Sequence, residues 1–71
     1  MSNLEADLLR AHAKGDGEAL AHLYGRAADQ HGAEPDRAAF YLTQAYVFAL
    51  EAGLDVAQDY QQHLKSLGKE E

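Results

Sequence analysis

The sequence predicts an all-α fold of three to four antiparallel helices packed as stacked helical hairpins. Three observations predict it. Apolar residues recur at helical spacing, glycines punctuate the chain where those stretches end, and the alternation of a half-buried strand is absent. The intervening connections are short, about two to five residues, which forces consecutive helices to pack roughly antiparallel.

The first helix spans residues 3–14. Ser2 followed by Glu5 forms a capping-box pattern, in which the hydroxyl takes a free backbone N–H and the carboxylate reaches back. Gly15 can take the left-handed conformation that closes this helix. Asp16 is the next cap, and opens a helix over residues 17–31. There Leu20, Leu23, Tyr24, Ala27, Ala28 and His31 recur at offsets 0, 3, 4, 7, 8 and 11, an amphipathic stripe ended by Gly32. The third helix runs over residues 35–52, from Pro35 at its first position to a stop at Gly53. Asp55 with Gln58 forms a second capping-box pattern and opens a helix over residues 56–67, with Val56, Tyr60, His63, Leu64 and Leu67 on one face. It stops at Gly68, and residues 69–71 read as a frayed tail.

The third helix is the informative one. On a wheel at about 100° per residue, Phe48, Tyr41, Ala45, Ala49, Leu42, Tyr46 and Leu50 cover an arc of roughly 200°. So wide an apolar arc predicts a central helix held between two neighbours. Phe40 and Val47 fall on the remaining side, beside Thr43, Gln44 and Glu51. A phenylalanine and a valine there are more apolar surface than a solvated face needs. Either the fourth helix or the tail covers them, or they form a recognition or self-association patch. Alanines at 38, 39, 45, 49 and 52 on this helix, with Ala27 and Ala28 on the second, allow close helix-to-helix approach.

Composition bounds the function. The chain has 71 residues, with 12 acidic against 6 basic side chains and a formal net charge of −6. Nucleic acid and anionic lipid need a basic footprint, so neither is expected as a partner. The absence of cysteine removes disulfides, thiol catalysis and cysteine zinc sites. No apolar run approaches the ~20 residues of a membrane span, and the acidic start of the chain does not suit a signal peptide. A soluble, cytoplasmic, single-domain protein spanning residues 1–71 is the expectation.

Leu23-Tyr24-Gly25-Arg26-Ala27-Ala28-Asp29-Gln30-His31-Gly32 resembles the second helix of a tetratricopeptide repeat or of its shorter Sel-like relatives. Glu34-Pro35-Asp36-Arg37-Ala38-Ala39-Phe40-Tyr41-Leu42 is similar to the opening of the next repeat. Ala45, Phe48, Gly53 and Ala57 fall near that family's small, aromatic, turn and small positions. The resemblance covers about one and a half repeats, roughly residues 17–67. Gln44 stands where the family has leucine, and no internal repeat of roughly 34 residues aligns. The resemblance implies a protein–protein interaction module without catalysis, with a groove lined by the first and third helices.

The residues that could carry chemistry have plainer roles. His12, His22, His31 and His63 never fall one helical turn apart, so no helix offers two imidazoles on one face. Glu18 with His22, and Asp59 with His63, read as intrahelical contacts, short of the four ligands of a structural zinc site. His31 suits the negative end of its helix, and His63 reads as a core-edge residue. Gly15-Asp16-Gly17 reads as a helix stop followed by a start, since it lacks the lysine or spaced carboxylates of phosphate and calcium loops. The four tyrosines read as large core pieces with wet hydroxyls.

No catalytic residue, metal site or cofactor is therefore expected. The function expected is that of a small helical adaptor or scaffold, which binds a protein or peptide segment and self-associates as a homodimer. Its candidate partner-binding residues are Phe40, Thr43, Gln44, Val47 and Glu51. The alternative is a small-ligand or metal binder, with histidines and carboxylates brought together between helices or subunits.

Overall fold

A computed structural model describes residues 3–68, so Ser2 of the first capping-box pattern and the tail at 69–71 lie outside the described residues. It is an all-α fold of four helices: α1 (Leu4–Lys14), α2 (Gly17–Gln30), α3 (Pro35–Glu51) and α4 (Val56–Ser66). The Cα trace fills a slab of 32 × 27 × 15 Å. The α2–α3 pair is the most extensive contact, with α1 packed on α2 and α4 on α3.

The helix ends follow local chemistry. Asn3 caps α1, its side-chain oxygen accepting the Ala6 N–H at 3.2 Å, and Gly15 closes the helix at φ 65°. Asp16 does the same for α2, accepting the Ala19 N–H at 3.1 Å. Each interaction satisfies one of the orphan donors of a helix start.

Two further ends are built differently: α2 stops just before Gly32 as expected but without a left-handed glycine, and the expected Asp55 cap of α4 does not form. Gly32 is not left-handed; the C-cap of α2 is His31 at φ −109°. The Glu34 N–H donates to the His31 carbonyl at 2.9 Å, so the chain turns into Pro35 without a left-handed residue. Asp55 makes no side-chain cap, because its own backbone is already helical at φ −62°, ψ −27°. Its side chain therefore lacks the extended backbone that aims a capping oxygen at the first turn.

The core is built mainly from alanine. The fully buried apolar residues among those described are Ala11, Ala21, Ala27, Ala28, Ala38, Ala39, Ala45, Ala49 and Ala57, with only Leu20, Leu42 and Leu64 as larger members. Alanine faces bring helix axes close, toward the lower end of the usual spacing of about 8–10 Å. Leu42 is the most deeply buried large side chain, and its burial contributes about 1.5–3 kcal/mol. Both core clusters draw on α2, α3 and α4 together: Ala28 with Ala39, Leu42 and Leu64, and Ala21 with Ala49 and Ala57. The fourth helix therefore lies over the groove between α2 and α3, and the back of α3 is left bare.

Candidate functional site

The bare side of α3 carries the candidate partner-binding residues. Phe40 is 58% exposed and Val47 is 41% exposed, so neither is covered by α4. Thr43 and Glu51 are exposed beside them, and Gln44 is half-buried at the edge. The Thr43 hydroxyl donates to the Ala39 carbonyl of its own helix at 2.8 Å.

Leu50 corrects the expected covered arc of α3, for it is 54% exposed. It lies on the far edge of that arc, beyond the reach of a helix seated over the α2–α3 groove. The consequence is a longer apolar line than the sequence reading drew. Phe40, Thr43, Val47 and Leu50 are separated by three, four and three residues, the spacing of a helix–helix seam. They span about 15 Å along the helix.

A second feature joins α1, α2 and α3. The Tyr24 ring lies parallel to Phe48 at 5.8 Å and 2°, and near-parallel to Tyr41 at 6.2 Å and 28°. His12 meets Tyr24 and Phe48 edge-on, each at 6.0 Å. Its Nε2 and the Tyr24 hydroxyl are 3.0 Å apart, a hydrogen bond whose direction follows the imidazole tautomer. His31 stacks on Tyr41 at 5.4 Å while its Nδ1 lies 3.2 Å from Glu34 Oε1. Phe40 meets the other side of this row, edge-on to Tyr41 at 5.4 Å. Rings at these separations stabilise by about 0.5–1.5 kcal/mol per pair beyond their buried area. Sequence reasoning gave His12 no specific partner; a histidine and a tyrosine twelve residues apart carry no local pattern that would find the contact.

Where α1 and α3 diverge, a groove of about 630 Å³ opens, lined by Leu4 and Leu8 of α1, Gln30 of α2, the adjoining His31 and Tyr41 of α3. Between α2 and α4 a smaller cleft of about 390 Å³ gathers His22, Arg26, Asp29, Asp59, Tyr60 and His63. It brings His22 together with Asp59 and His63, yet neither expected intrahelical pair forms among the described residues: Glu18 does not engage His22, nor Asp59 His63. His63 is exposed, not at the edge of the core. Among the described residues, no three histidine or carboxylate side chains stand close enough to hold a metal ion.

No family model, curated protein or solved structure matches this chain. No helix among the described residues is long and apolar enough to cross a membrane. The seam of Phe40, Val47 and Leu50 is therefore not part of a membrane-spanning helix. It sets large apolar side chains in a row, with polar Gln44 and Glu51 along one edge.

Proposed function

We propose that this chain is a small helical interaction module that works by binding a protein surface through the outer face of α3, self-association included. The observation that carries this is the mismatch between core and surface. Alanines make up most of the buried apolar residues among those described, while Phe40, Val47 and Leu50 stand exposed in one row on the central helix. Burying three such side chains against a partner is worth several kcal/mol at about 25 cal/mol per Å² before the cost of association. The resemblance of residues 17–67 to tetratricopeptide hairpins supports the same reading. The excess of acidic side chains favours a protein partner over nucleic acid.

The test is sedimentation equilibrium from micromolar to millimolar concentration on the native chain and on Phe40→Glu and Val47→Glu. Each variant is expected to weaken association at least tenfold with an unchanged far-UV circular dichroism spectrum. Loss of helicity in both variants would make these residues structural and sink the proposal.

A further inference from the structure

We propose that the occupant of the α3 seam is a second copy of the same chain, docked antiparallel across a two-fold axis that crosses the seam midway between Thr43 and Val47. This rests on the reading of α3 as an interaction face and adds partner, orientation and register to it.

The seam positions are self-complementary. Reversing one copy about the midpoint between Thr43 and Val47 sets Phe40 against Leu50 of the second copy and Thr43 against its Val47, then repeats both contacts in the opposite sense. Each layer thus faces a large side chain with another large one or a small with a medium one. A two-fold arrangement of this kind closes on itself and leaves no free seam to propagate.

Charge selects the orientation. Arg37, Gln44 and Glu51 are spaced seven residues apart along one edge of the seam. Arg37 and Glu51 are both exposed, and neither makes an ion pair among the described residues. In the antiparallel pair, like edges meet: Arg37 faces Glu51 of the second copy, Glu51 faces its Arg37, and the two Gln44 side chains meet at the centre. In a parallel pair this edge would instead meet the opposite edge, which carries Ala39 and Tyr46 and offers no charge. Flanking charges of this sort set partner and direction in helix pairs.

The test uses the full chain with Arg37→Glu, Glu51→Arg and the double exchange, measured by sedimentation equilibrium beside Phe40→Glu. Each single reversal creates two like-charge contacts per dimer and is expected to weaken association about tenfold. The double exchange is expected to return within about threefold of the native chain. The chain has no cysteine, so single-cysteine variants give a second readout. Gln44→Cys should form a disulfide dimer under mild oxidation. Asp36→Cys should not, because its counterpart lies about 27 Å away along the axis in the antiparallel pair, at about 1.5 Å of rise per residue.

A dimer lost in Phe40→Glu but indifferent to every charge reversal would overturn the antiparallel register while leaving the interaction face standing. A disulfide through Asp36→Cys would do the same in favour of a parallel pair. A native chain that stays monomeric at millimolar concentration would overturn self-pairing. A dimer that survives Phe40→Glu would overturn both the pairing and the face.

Discussion

The Tyr60 hydroxyl occupies the space that a side chain at Gly25 would need: a Cβ built on Gly25 would lie 2.6 Å from that oxygen and 3.0 Å from the ring Cε1. The same hydroxyl donates to the Ala21 carbonyl at 3.3 Å, the carbonyl one turn before Gly25. A glycine inside a helix ordinarily costs about 1 kcal/mol relative to alanine. Here it lets the Tyr60 side chain of α4 reach the backbone of α2.

Gly25→Ala is therefore expected to destabilise the domain by about 1–2 kcal/mol, despite the better helix propensity of alanine. The ring must retreat and its hydrogen bond to Ala21 breaks. In a Tyr60→Phe background the nearest clash is gone, so the same substitution should cost about 0.5–1 kcal/mol less. Urea denaturation of the four proteins of this cycle checks it; strict additivity would show that the two residues do not restrain each other.

Alkaline pH tests the same contact through its proton. Burial raises the Tyr60 pKa above its ordinary 10.0, and the negative charges of Asp29 and Asp59 raise it further. The folded state therefore holds this proton more tightly than the unfolded chain does. That contribution is fully present below pH ~10 and is lost as pH rises through the folded value. Thermal midpoints measured from pH 8 to 11.5 should fall more steeply in the native chain than in Tyr60→Phe. Parallel curves would show that Tyr60 ionises alike in both states.

The fold class was legible because the information is local. Helical spacing, Asp16 before α2 and the glycines at 15 and 53 act over a few residues, and all mark the helix ends where they fall. The outward side of α3 was legible in part for the same reason, since Phe40 and Val47 sit opposite the alanines that the structure buries. Leu50 was not, because its exposure depends on where α4 lands after the Gly53 turn, a matter of packing between helices. The same limit hid the contact of His12 with Tyr24 and that of Tyr60 with Ala21, the latter spanning 39 residues. In the bare sequence Gly25 looks like a weakness of α2, and only the tyrosine lying over it explains its presence.

Three similar-looking helix starts are built differently. Asn3 and Asp16 have non-helical backbones and side chains that accept a hydrogen bond from the third residue on. Replacing either by alanine leaves an N–H to water and should cost about 1 kcal/mol. Asp55 is followed by Gln58 in the same way as Asn3 by Ala6, but its helical backbone turns the carboxylate away from the capping position. Asp55→Ala therefore removes only the favourable charge near the positive end of α4, worth no more than about 0.5 kcal/mol. Urea midpoints at neutral pH should place Asn3→Ala and Asp16→Ala together, well below Asp55→Ala. If Asp55→Ala fell with the other two, its side chain would cap α4 in solution, and the helical backbone at that position would not persist there.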